Sequence, residues 1–152
     1  MKQIFVFLVF ACAFSVTAQA QADQVVGYWL TDGGESQIKV FKAADGKFYG
    51  NIVWLKEPNE NGKAKVDDDN PDEKLRSRPL LNLQILKGFS YDSDDNEWTK
   101  GKIYDPKSGS TYSCYMWFED NNTNTLFVKG FIGVSLIGKS TKWTREQTQR
   151  KM

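Results

Sequence analysis

The chain has 152 residues and a formal net charge of +1, with twenty Lys and Arg against nineteen Asp and Glu. That length fits a single domain, and the balanced charge gives no electrostatic footprint for nucleic acid. His is absent, which removes the commonest general base and the commonest metal ligand, while five Trp, six Tyr and ten Phe leave many rings to be placed.

The first twenty residues read as an address. Met1-Lys2 supplies a positive charge, Ile4 to Val16 is almost wholly apolar, and Ala18-Gln19-Ala20 offers a small-x-small cleavage site. This is the pattern of a secretory signal peptide. The apolar run falls short of the roughly 20 residues a spanning helix needs, so no transmembrane span is expected. Cys12 admits a lipoprotein reading, but Val9-Phe10-Ala11 fits poorly the Leu-small-small triplet of such signals. Cleavage after Ala20 and export to the periplasm or cell envelope is the expectation. Residues 21–152 then contain Cys114 alone, so no internal disulfide can form despite an oxidising destination. Stability must come from a core, and a chain of that length can bury one. Cys114 shares an apolar strand face with Tyr112 and Met116, which predicts a buried, inert thiol.

From Val25 onward, short apolar runs alternate with turn chemistry. Val25–Thr31 ends at Asp32-Gly33-Gly34, Glu35–Lys42 ends at the hairpin signal Asp45-Gly46, and Lys47–Leu55 comes next. Ile38 and Val40 share one face, and Phe48, Gly50, Ile52 and Trp54 share one face of the next strand. Residues 56–79, acidic and carrying Pro58, Pro71 and Pro79, read as one long polar loop. Leu81, Leu83 and Ile85 alternate in a strand ending near Tyr91. Glu97–Asp105 is the next strand, and Asp105-Pro106-Lys107-Ser108-Gly109 is a further turn. Ser110–Phe118, Thr125–Ile132 and Ser135–Arg145 complete eight strands, while Glu146–Met152 is a polar tail. No segment carries a sustained 3.6-residue stripe, so an all-β, eight-stranded antiparallel up-and-down barrel is predicted, with a two-sheet sandwich as the alternative. Residues 21–152 form this one domain.

Gly27-Tyr28-Trp29 near the start and Trp143-Thr144-Arg145 near the end resemble the signature of lipocalins and their calycin relatives. The resemblance implies that Trp29 plugs the barrel floor, beside Gly27, and that Arg145 packs over it. A wider set is similar to a bacterial domain-of-unknown-function family, number 2147, of exported calycin-like barrels. It comprises Tyr49-Gly50-Asn51-Ile52-Val53-Trp54-Leu55, Asp69-Asn70-Pro71 and Arg76-Ser77-Arg78-Pro79-Leu80-Leu81. Trp98, Gly101-Lys102-Ile103-Tyr104-Asp105-Pro106, Ser108-Gly109-Ser110-Thr111-Tyr112 and Lys129-Gly130-Phe131-Ile132-Gly133 continue it. Asn82 stands where that pattern has Gly. The family supplies no established activity.

Chemistry-bearing motifs are few. Gly133-Val134-Ser135-Leu136-Ile137-Gly138 is one residue too long for a nucleophile elbow, and no His could activate Ser135. In Asp67-Asp68-Asp69-Asn70-Pro71-Asp72-Glu73 the weak metal candidates are Asp67, Asp69 and Asp72, since a hard cation wants six to eight oxygens. Lys74, Arg76 and Arg78 sit directly after them, so local charge pairing is preferred and no metal or cofactor is expected. Alternation alone selects Ile52, Trp54, Leu83, Tyr112, Met116 and Val128 as lining candidates for a small hydrophobic ligand. The leading expectation is a non-enzymatic ligand-binding barrel in the envelope. A filled-core module for an envelope protein and a carboxylate-dependent hydrolase are the rivals.

Overall fold

Alternating side chains become strands wherever Gly, Asn or Pro turns allow the chain to reverse. A computed structural model describes residues 17–134 and 138–152. Most of the expected signal peptide (residues 1–16, Cys12 included) and the expected start of the last strand (residues 135–137) lie outside the described residues.

Residues 17–22 are helical and run into a 3₁₀ turn, Asp23–Val25. The strands are β1 (Gly27–Leu30), β2 (Ser36–Lys42), β3 (Phe48–Leu55), β4 (Asn59–Glu60), β5 (Lys63–Ala64), β6 (Gln84–Asp92), β7 (Glu97–Asp105), β8 (Ser110–Trp117), β9 (Thr125–Phe131) and β10 (Gly138–Glu146). Strands β4 and β5 form a separate two-stranded hairpin inside the long loop, while the other eight close into a barrel in the order β1-β10-β9-β8-β7-β6-β3-β2. Every neighbouring pair is antiparallel, and the short β1 is held on both sides, by β10 and by β2. Closure leaves the barrel, among the described residues, without an edge strand, which excludes the sandwich.

One end of the barrel is packed solid. Trp29, Trp98, Phe48, Phe89 and Met116 are all buried there, and Phe118 lies against both indoles, with ring centroids 5.9 Å from Trp29 and 5.2 Å from Trp98. The chain just before β1 closes this floor from outside. The Trp29 indole donates to the Val25 carbonyl at 2.8 Å and the Trp98 indole to the Ala22 carbonyl at 2.9 Å. Trp29 faces Arg145 across the β1–β10 pair, and the guanidinium sits 4.2 Å above the indole ring centre. The same guanidinium donates to the Thr123 carbonyl at 2.7 Å and the Val26 carbonyl at 3.2 Å. It thus joins the first strand, the last strand and the β8–β9 connection. Gly27 has φ 142° and a Cβ there would stand 3.0 Å from Arg145 Nη1, so both its conformation and its neighbour favour a residue without a side chain.

Two departures from simple alternation matter for the site. Gln37 pairs with Trp54 whereas Ile38 pairs with Ile52, so Val53 is an extra residue and β3 is bulged there. The bulge reverses the facing of Trp54 and Leu55. Asn82 adopts φ 68°, a left-handed conformation that Asn tolerates better than most residues, which explains how it stands in a glycine position. The loop 56–79 is also more structured than its composition suggests. Besides β4–β5 it holds a 3₁₀ turn, Glu73–Leu75, and a bridge between Val66 and Pro79.

Candidate functional site

At the end opposite the floor the barrel is open. The Asp32–Gly34 turn, the long loop, the β7–β8 turn and the start of β10 surround a cavity of about 650 Å³. Ile52, Leu55, Ile85, Ile103, Tyr112, Val128 and Trp143 line it, so its walls are apolar. Its rim mixes the carboxylates of Asp32, Glu35, Glu57 and Asp105 with the ammonium groups of Lys65, Lys107 and Lys139. Glu57 and Lys65 form an exposed ion pair at 3.8 Å, and Asp105 is committed to its own turn, accepting from Lys107 N and Ser108 Oγ at 3.0 Å each.

Of the six residues selected by alternation, Ile52, Tyr112 and Val128 line the cavity. Leu83 and Met116 are buried in the packed core instead, Met116 beside Trp98 and Val128 in the β7–β8–β9 register. Trp54 is outside the barrel altogether, because the Val53 bulge turns it away. Its indole donates to the Lys151 carbonyl at 3.1 Å, and the Arg150 guanidinium lies 4.8 Å over its ring. The C-terminal tail is therefore a strap across β2 and β3. Under it Gln37 is fully buried, donating to Glu146 and to the Thr148 carbonyl and accepting from Arg150 N. Leu55, Ile85, Ile103 and Trp143 were not selected from the sequence. Leu55 returns to the lumen only through the bulge.

The acidic run proves to be an anchor at the cavity mouth. Asp67 is fully buried, and its carboxylate accepts from Tyr104 Oη at 2.6 Å, Asn70 Nδ2 at 2.8 Å and Arg78 Nε at 2.8 Å, with Arg78 Nη2 in ion-pair contact at 2.7 Å. Burial pushes its pKa up, but these hydrogen bonds and the Arg78 charge more than offset it and hold the carboxyl below its ordinary value. Burial and the Asp67 carboxylate both raise the Tyr104 phenol, which also borders the cavity. Asp72 caps the 3₁₀ turn through Lys74 N at 3.0 Å, and the Asp69 carbonyl lies against Gly109 of the β7–β8 turn, where a Cβ would collide with it. Asp67, Asp69 and Asp72 are therefore placed for loop architecture, and among the described residues no group of three or more His, Cys, Asp or Glu could hold a metal ion. Among the same residues no helix is long and apolar enough to cross a membrane. Cys114 is buried, and desolvation pushes its thiol up to about 12.

Floor, arginine-capped Trp and open mouth define a barrel of lipocalin-like, calycin type. The model of the family described as uncharacterized protein conserved in bacteria, domain of unknown function 2147, matches residues 27–145, and the chain belongs to that family. Among solved structures it is similar to protein HP1028 from the human pathogen Helicobacter pylori, described as belonging to the lipocalin family. The likeness has a TM-score of 0.68 at 23% identity, over 81% of this chain and 83% of that one. Comparison with curated proteins found no match.

Proposed function

We propose that the chain is an exported binding protein of the cell envelope that holds one small apolar or amphipathic ligand in the mouth of its barrel, without turning it over. The observation that carries this reading is the apolar cavity of about 650 Å³ above a solid floor, a size within the roughly 300–1,000 Å³ of small-molecule sites. An aliphatic or aromatic body fits against Ile52, Ile85, Ile103 and Val128. A polar or zwitterionic head fits a rim bearing both signs of charge, with Lys107 and Lys139 on the same mouth as Asp32 and Glu35. The leader-like residues 1–20 supply the expectation of export.

Trp143 borders the cavity and reports on it. Titrating the protein with fatty acids, lysophospholipids and lipophilic dyes should give a saturable change in tryptophan emission that a Trp143→Phe variant greatly reduces. Failure of every member of such a panel to saturate would refute the proposal. The rival reading, a filled-core module for an envelope protein, accounts for the lower half of the barrel but has no use for the open upper half.

A further inference from the structure

The outward face of β8 and β9 carries a continuous row of rings. Tyr115 stacks on Trp117 with centroids 5.2 Å apart, and Trp117 stacks on its cross-strand partner Phe127 at 5.2 Å. Phe131 meets Tyr115 at 6.1 Å and ends the row at the mouth. Directly beyond it on the rim, Ile132 and Val134 are 75% and 60% exposed, two aliphatic side chains standing in water beside an apolar cavity. Residues in this state mark a surface that something else covers.

Charge says what covers it. Lys129 lies 6.0 Å from the Tyr115 ring centre and Lys142 lies 5.1 Å from that of Phe127. Lys100 and Lys102 flank the row from β7, bordering the groove that Tyr115 and Phe131 line, and Glu97, the cross-strand partner of Trp117, is among the described residues the one carboxylate on that groove, against these two lysines and Lys129 and Lys142. Strands β8 and β9 contain no acidic residue, and β10 has only Glu146 at its last position, already bonded to Arg150 and Gln37. A ring-and-lysine face with protruding aliphatic residues at one end has the composition of segments that sit at a bilayer interface, rings at headgroup depth and lysines on anionic lipid. Ile132 and Val134 give a sugar nothing to hydrogen-bond, and a second copy packed two-fold on this face would set lysine against lysine.

We propose that the outward face of β8 and β9, with Ile132 and Val134 on the adjoining rim, docks on an anionic lipid surface and so sets the cavity mouth against the bilayer. Docking does not require an occupied cavity, so a failed ligand titration would leave it standing. Co-sedimentation with vesicles of phosphatidylglycerol and phosphatidylcholine, against phosphatidylcholine alone, tests it. Binding is expected to the anionic vesicles and to weaken in high salt. Each lysine at the surface contributes about fivefold in affinity, so Lys129→Glu/Lys142→Glu should reduce binding at least tenfold. Ile132→Asp/Val134→Asp should do the same. Both pairs lie on the surface and should leave the thermal midpoint nearly unchanged. Wild type and variants are compared as the chain from Gln21 onward, the form expected after cleavage, so the apolar leader contributes to neither. Equal binding by the variants, equal binding to phosphatidylcholine alone, no binding to either vesicle, or a concentration-dependent dimer broken by the same substitutions would overturn the proposal.

Discussion

Replacing Asp67 by Ala removes the acceptor on which three side chains of the mouth converge. Tyr104, Asn70 and Arg78 together donate three hydrogen bonds to this carboxylate, which is fully buried and also ion-paired to Arg78. Breaking a buried ion pair by deleting one partner costs about 3–5 kcal/mol when the other charge stays buried. Arg78 retains 32% side-chain exposure and can turn to water, so the expected cost is lower, about 2–3 kcal/mol, most of it from the Tyr104 hydroxyl and the Asn70 amide left with fewer partners. For a domain of this size that is a fall of about 4–12 °C in thermal midpoint. Part of the loss should appear as local opening of residues 56–79, since Asp67 joins that loop to β7. Urea unfolding at pH 7, with limited proteolysis of the loop, measures both. The pH dependence has a fixed sign. A carboxyl held below its ordinary value stabilises the fold at neutral pH, and this contribution is lost as pH falls below the ordinary value and through the native one. Asp67→Asn should therefore narrow its deficit from wild type on acidification. An Asp67→Ala protein within about 0.5 kcal/mol of wild type, the usual range for surface substitutions, with unchanged loop proteolysis would refute the reasoning.

The same geometry fixes three further outcomes. Arg145→Ala should lower stability by about 2–4 kcal/mol, combining the cation–π contact with the charged hydrogen bonds to backbone carbonyls, and Arg145→Lys should recover little of it, both by urea titration. Cys114 should resist iodoacetamide at pH 8 in the native protein and react fully once unfolded, because its thiol is pushed up to about 12. Deleting residues 147–152 strips Gln37 of its bonds to Thr148 and Arg150 and should cost about 2–3 kcal/mol, measured by thermal melting.

The strand order was legible because period-two runs were separated by Gly, Asn and Pro turns, and Trp29 and Arg145 do face each other as the resemblance implied. Alternation failed at Val53 because a bulge inserts one residue without any change in composition. The pattern that put Ile52 in the lumen therefore put Trp54 there too, and missed Leu55. Met116 failed differently: it does face inward, but alternation carries no information on how high in a barrel the packing stops. Leu83 precedes β6, beside the left-handed Asn82, where strand alternation does not apply. The floor bond from Trp98 to Ala22 and the Asp67–Tyr104 bond join segments far apart in sequence, where local pattern is silent. Lys129 and Lys142 come to lie beside the rings of Tyr115, Trp117 and Phe127 only through the register of β8, β9 and β10, which local pattern does not carry.

Calorimetric titration of a single fatty acid or lysophospholipid into wild type and into Ile103→Trp tests the ligand cavity most directly. Ile103 borders the open space, and an indole there fills part of it. One site per chain with a negative heat-capacity change is expected for wild type, with affinity at least tenfold weaker in the variant. Equal affinity in the two proteins, or no saturable heat from wild type across the lipid panel, would contradict a ligand held inside the barrel mouth.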